Sequence, residues 1–229
     1  MASGKLLPIN KRRFQAITAG AVIAVLVCWG AIAWLRSAAM PIHLNKDVAI
    51  PVVKISQLDV ALLRDADIVL RQGRDIVSHI ILSQGESTRF SHVGLVFRRG
   101  DQLLVIHAMP AENNVPGGVE IEPFAVFAAA DKSTDVAFYR ARDLSESAQV
   151  AIRDFAFAQI GKPFDEQFLL SDSNKLYCTE LVLDAFEAAG LSLGETVPHM
   201  HVMMLAEAVV PPDYLRQSAL LEKIDLDFK

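Results

Sequence analysis

At 229 residues, 52% of them hydrophobic, the chain is long enough for one ordinary domain with a substantial core. Its formal charge of −5 leaves no basic surface to neutralise phosphates, which argues against a nucleic-acid binder. The two cysteines, Cys28 and Cys178, lie in segments of different character, and no Cys/His cluster has zinc-ligand spacing, so neither a disulfide framework nor a zinc module is expected.

Residues 1–13 are short and polar and close on Lys11, Arg12 and Arg13; residues 14–35 then run without a charge. At ~1.5 Å per helical residue that run spans a ~30 Å hydrocarbon core. Trp34 stands near its far end as an interfacial anchor. The basic cluster before the span keeps the N-terminus cytoplasmic, so all that follows Arg36 is expected to be exported. The expectation is a single-pass inner-membrane protein with a periplasmic or extracytoplasmic domain, the bilayer being its first partner. Ser37, Ala38 and Ala39 offer a rival reading as a signal-peptidase site, but the apolar run is longer than a usual signal core. A lipoprotein signal is rejected because Val27 precedes Cys28.

Residues 36–55 read as a linker with Pro41 and Pro51 as breakers, and residues 56–229 as the globular domain. Within it a short helix is expected over 57–64, a strand over 67–71 and a helical length over 75–83. Residues 91–97 and 103–107 are apolar strands joined by a hairpin of the longer-loop kind. Strands follow over 119–122 and 136–140, separated by an Ala-rich segment. An amphipathic helix begins at Ser145 and stops at Gly161. After a polar loop, residues 176–190 place Cys178, Leu181, Val182, Ala185, Phe186 and Ala189 on one helical face, with Gly190 as the stop. A short helix from Asp213 closes the tail. Strands cluster first and helices follow, which argues α+β with an antiparallel sheet.

Cys178 falls in the first turn of its helix, where unpaired N–H groups and the helix dipole favour a negative charge and a more nucleophilic thiol. Most buried cysteines are only small core residues, so the helix alone decides nothing. A thiol nucleophile needs a base and a group to orient that base. His92 opens one strand of the hairpin and His107 closes the next, and paired strands lie ~4.8 Å apart, so the two imidazoles can touch on one face. One takes the thiol proton while the other holds it in the right tautomer. Glu180 points off the apolar stripe and reads as a residue that solvates or salt-bridges the helix rather than one that catalyses; Asp165 reads as part of a polar loop.

The segments SHVGLVF, VIH and YCTELV, with ADIVL upstream and GKPFD and VPPDYLRQSALLEKI downstream, resemble the permuted papain-like cysteine hydrolases of the NlpC class, YiiX-like branch. The resemblance covers about residues 65–224. It implies a circularly permuted papain-like α+β fold in which histidine strands precede the cysteine helix. It further implies Cys178 as nucleophile, His92 as base and His107 as the third polar residue, as in lecithin:retinol acyltransferase-like relatives. Tyr177 and the Cys178 backbone N–H are candidate oxyanion donors, and Asp67 a candidate orienting residue. Ala66 stands where the family usually has glycine. No cofactor and no metal are expected.

The function expected is thus hydrolysis of an amide or ester bond through a Cys178 acyl-enzyme, acting on cell-envelope peptides, lipids or cell wall. The rivals are a lipid acyltransferase or thioesterase, a non-catalytic binding domain of the same fold, and a metal-binding module built on His92, His107 and Cys178.

Overall fold

The computed structural model describes residues 59–74, 88–112, 115–201 and 205–226. The charge-free run 14–35 and the helical length expected over 75–83 lie outside them. Among the described residues, no helix is long and apolar enough to cross a membrane.

Six strands form one antiparallel sheet: β1 (Asp67–Gly73), β2 (His92–Arg99), β3 (Gln102–Met109), β4 (Gly118–Pro123), β5 (Ser133–Ala141) and β6 (Leu221–Ile224). Their order across the sheet is β4-β3-β2-β1-β5-β6, so the strands bearing the two histidines are neighbours near its middle. The central strands are continuous apolar runs rather than alternating ones because both of their faces are covered. On one face Ile68, Leu70, Val93, Leu95 and Ile106 pack against two helices. On the other, Val69, Val96 and Val105 pack against Phe124, Phe127 and Phe138. Phe124 and Phe127 belong to α1 (Phe124–Phe127), the one turn that the Ala-rich segment forms.

The two longer helices are α2 (Glu146–Ala158) and α3 (Cys178–Ala188). The Ser145 hydroxyl caps α2 by accepting the Ala148 N–H at 3.2 Å, and Gly161 beyond it takes φ +88°, the left-handed stop that glycine permits. From α3, Leu181, Val182, Ala185 and Phe186 are fully buried against the sheet, and the three larger side chains, Leu181, Val182 and Phe186, each contribute about 1.5–3 kcal/mol. This is the face expected from the sequence.

Three expectations need correction. The hairpin between β2 and β3 has a two-residue turn, since Arg99 pairs with Gln102; Gly100 adopts φ +61°, which lets the chain reverse that tightly. Residues 57–64 yield, among those described, only a 3-10 turn at Val60–Leu62. The tail adds a strand, β6, that pairs with the edge of β5 and was not foreseen. Its single buried residue, Leu221, leaves no periodic signal to find.

Candidate active site

The site is assembled at the start of β2. Ser91, just before it, donates its N–H to the Arg71 carbonyl at 3.0 Å, and its hydroxyl accepts the Gly73 N–H at 3.0 Å. Phe90 donates its N–H to the carboxylate of Asp213, which also accepts from Arg216 Nε at 3.0 Å. The tail segment PPDYLRQ therefore fixes where β2 begins, and with it the backbone of His92.

His92 and His107 share the sheet face that carries Phe127. Their register is diagonal, because Gly94 rather than His92 would stand across from His107 if the β2–β3 pairing continued. Nε2 of His92 lies 2.9 Å from Nδ1 of His107, and the rings meet edge-on with centroids 5.1 Å apart. The glycine of SHVG makes that possible. A Cβ on Gly94 would lie 3.1 Å from Cβ of His107 and 2.5 Å from Cγ1 of Val105. Phe127 stacks against both imidazoles, and the Arg71 guanidinium lies 4.5 Å over its ring. The expected contact of the two histidines is thus present.

Behind His107 stand two carboxylates that the sequence reading passed over. His107 pairs with Glu120 across β3–β4, and Glu122 follows on the same face. Nε2 of His107 is 3.1 Å from Glu122 and 3.5 Å from Glu120. Glu122 in turn holds Lys132 at 3.1 Å through its other oxygen. The strand expected over 119–122 is present, and its pairing with β3 is what puts both carboxylates beside His107.

The charges define the tautomers. Burial pushes His92 well below its ordinary value, aided by the Arg71 cation, so its resting form is the neutral imidazole. Burial also lowers His107, opposed by Glu122. A carboxylate facing Nε2 of His107 favours the proton there. Nδ1 of His107 then accepts, Nε2–H of His92 donates, and Nδ1 of His92 is left bare.

Cys178 is a free thiol and is 6% exposed. The loop after α2 positions it. Leu176 donates its N–H to the Pro163 carbonyl at 3.0 Å and accepts from Asp165 N–H at 3.1 Å, tying GKPFD alongside the residues that lead into α3. Asp165 is buried, not a solvated loop residue; its carboxylate accepts the Gln167 N–H at 2.9 Å and holds the loop closed. The thiol packs within the helix-side core and meets β2 at the Val93 backbone N–H, one residue from His92. The thiol thus reaches the start of β2 from the helix side, one residue along from His92, whose ring packs on Phe127.

Two expectations about α3 are reversed. Burial pushes the Cys178 thiol up, outweighing the contacts with Thr179 and with backbone N–H groups that act the other way. Glu180 is 2% exposed rather than solvated. Its carboxylate accepts the Tyr177 N–H at 3.3 Å, satisfying one of the unpaired donors at the helix start, and burial pushes its pKa up to about 8.

The weaker candidates separate. Tyr177 precedes the thiol at the helix start: its ring is buried against Phe168, its hydroxyl lies by the Val210 backbone, and burial and neighbouring acidic groups push its pKa up, so it keeps its proton. Asp67 does not stay at the site. It lies four residues from Arg71 along β1 and binds Arg140 through both oxygens at 2.7 Å, with the Arg64 N–H at 2.7 Å. Its role is to anchor β1 to β5 and to the turn before it. Ala66 in that turn takes φ +68°, a conformation that glycine adopts at lower cost.

A buried thiol at a helix start, preceded in the chain by antiparallel strands that carry an edge-on imidazole pair, is the order of elements expected of a permuted papain-like fold. The chain belongs to the permuted papain-like amidase family YaeF/YiiX, C92, whose profile matches residues 63–222. Among solved structures it is similar to the one described as metalloprotein YiiX from Escherichia coli O157:H7. The two share 19% identity, with 72% of this chain and 98% of that chain covered and a TM-score of 0.58. A comparison with curated proteins finds no match.

Proposed function

We propose that this protein is a thiol hydrolase that cleaves an amide or ester bond through an acyl-enzyme on Cys178. The observation that carries this reading is the His92–His107 pair at 2.9 Å beside the strand start that the thiol contacts. In the first step the Cys178 sulfur attacks the substrate carbonyl carbon while its proton passes to Nδ1 of His92. Collapse of the tetrahedral species expels the amine or alcohol, which takes that proton from His92. Water, deprotonated by the same nitrogen, then attacks the thioester, and Cys178 leaves as the thiol. His107 holds His92 in the productive tautomer and, with Glu122 behind it, offsets the charge that His92 gains. The Cys178 backbone N–H and the protonated Tyr177 phenol are the candidate donors to the developing oxyanion.

Because burial raises the thiol and lowers the imidazole, the resting pair is neutral, and the proton moves during attack rather than before it. A cavity of about 490 Å³ lies next to the imidazole pair, sharing Arg71 and Glu120 with its surroundings and lined also by Arg74, Met109, Pro110 and Lys132. Three carboxylates, Glu112, Glu120 and Asp131, balance the three cations, so its walls combine both charges with apolar side chains and select no single charge on the acyl group. The charge-free run 14–35 supports anchoring in the inner membrane, with this domain on the extracytoplasmic side facing envelope peptides or lipids. A metal, as in the related protein described as a metalloprotein, has one three-donor cluster to occupy among the described residues: His107, Glu120 and Glu122.

The test is turnover of a p-nitrophenyl ester and of the matching anilide by the full chain. Cys178→Ala and His92→Ala should each abolish it, while His107→Glu should retain more than His107→Leu. Full activity in His107→Leu would remove the hairpin pair from the reaction.

A further inference from the structure

Nε2 of His107 and Oε1 of Glu122 face each other at 3.1 Å, both fully shielded from solvent, and are paired by charge without a well-aligned hydrogen bond. They sit at hydrogen-bond distance but outside hydrogen-bond geometry. A carboxylate oxygen of Glu120 lies 3.5 Å from the same nitrogen, and all three donor atoms fall within 4.8 Å of one another. Two ligands bound tetrahedrally at 2.0–2.1 Å are separated by about 3.3 Å. The two distances from Nε2 bracket that value. An imidazole and two carboxylates are a donor set for a first-row divalent ion. Lys132 holds the second oxygen of Glu122 and so keeps Oε1 turned inward. Glu120 is half exposed and lines the cavity, which gives an ion a way in.

We propose that His107, Glu120 and Glu122 form a binding site for a first-row divalent cation, and that filling it silences the His92 base. The second part follows from tautomers. With Nε2 given to a cation, His107 carries its proton only on Nδ1 and must donate it to Nε2 of His92. His92 then holds its own proton on Nδ1, the nitrogen that has to accept from Cys178. The same two imidazoles thus have a proton-relay arrangement and a cation-holding arrangement, which exclude each other. This second part rests on the reading of His92 as base; cation binding does not.

Equilibrium dialysis of the EDTA-stripped full chain in detergent against ZnCl2 and against MnCl2, with MgCl2 as the hard-ion comparison, tests the site. One equivalent of zinc or manganese per chain is expected, retained in Cys178→Ser and weakened at least tenfold in Glu120→Gln and in Glu122→Gln. No stoichiometric binding, binding unchanged in both Gln variants, or binding lost in Cys178→Ser would overturn it. Glu120 is exposed, so its variant should fold even if Glu122→Gln does not. For the silencing, ester turnover should fall at least tenfold on saturation with zinc and recover in Glu120→Gln. Binding without that fall, or a fall that persists in Glu120→Gln, overturns the tautomer exchange while leaving the site. Absence of any turnover would overturn the hydrolase reading and the silencing with it, but the dialysis result would stand.

Discussion

Gly94→Ala links the packing of the sheet to the geometry of the imidazole pair. The added methyl would lie 2.5 Å from Cγ1 of Val105, 3.1 Å from Cβ of His107 and 3.1 Å from the Ile106 carbonyl. Ordinary carbon contacts are about 3.5–4.0 Å, so Val105 must retreat by about 1 Å within a core that leaves it fully buried. The Ile106 carbonyl belongs to the sheet and cannot follow easily. Overpacking of this kind costs about 1–3 kcal/mol, and the stiffer unfolded chain returns about 0.4–1. A net loss of about 1–2 kcal/mol corresponds to a fall in Tm of about 2–8 °C for a domain of this size. Thermal unfolding of Gly94→Ala, Val105→Ala and the double variant measures it. Val105→Ala removes the clashing methyl, so the double variant should be more stable than the sum of the two losses predicts by about 1 kcal/mol. Simple additivity, or a Gly94→Ala variant as stable as the parent, would refute the claim that close approach is what this glycine provides.

Alkylation of Cys178 by iodoacetamide should still accelerate above pH 8.5, the approximate value of a free thiol, because burial holds the proton on sulfur; a rate that levels off below pH 7 would mean a preformed ion pair. Glu180 has a folded-state pKa of about 8, above the ~4.3 of an unfolded chain, so the native state binds the extra proton and stability falls as pH rises from about 4.3 to about 8. Denaturant titrations should show that slope flattened in Glu180→Gln, and an unchanged slope would place the titrating group elsewhere. Ala66→Gly should raise Tm by up to about 4 °C, since glycine relieves a left-handed alanine at about 1 kcal/mol less the entropy it adds to the unfolded chain; a lowered Tm would contradict that backbone conformation.

The strands and α3 were legible because their signals are local. Apolar runs bounded by Gly100 and Gly190, and a helical stripe from Cys178 to Ala189, need no knowledge of what they pack against. The histidine contact was legible too, because neighbouring strands of one hairpin lie within reach of each other; its diagonal register was not, since the turn is two residues rather than the longer loop expected. What escaped the sequence depends on long-range placement. Glu120 and Glu122 meet His107 only through the β3–β4 pairing, across a loop whose length does not announce a register. Asp213 reaches Phe90 over more than a hundred residues. Asp67 looked like a site residue from its place in a family segment, but Arg140, seventy-three positions away, claims both of its oxygens. The thiol's acidity was misjudged for a related reason. The helix start is visible in sequence, whereas the desolvation that outweighs it comes from the sheet packed on top.

The most direct test of the central claim is the mass of Cys178 after rapid quenching of the full chain during ester turnover. Proteolysis and mass spectrometry of the peptide that carries it would follow. An acyl group on the Cys178 sulfur, formed within one turnover, cleared by hydroxylamine and missing in Cys178→Ala, is the result expected. An unmodified Cys178 peptide throughout turnover, or an acyl group that maps elsewhere and survives in Cys178→Ala, would contradict it.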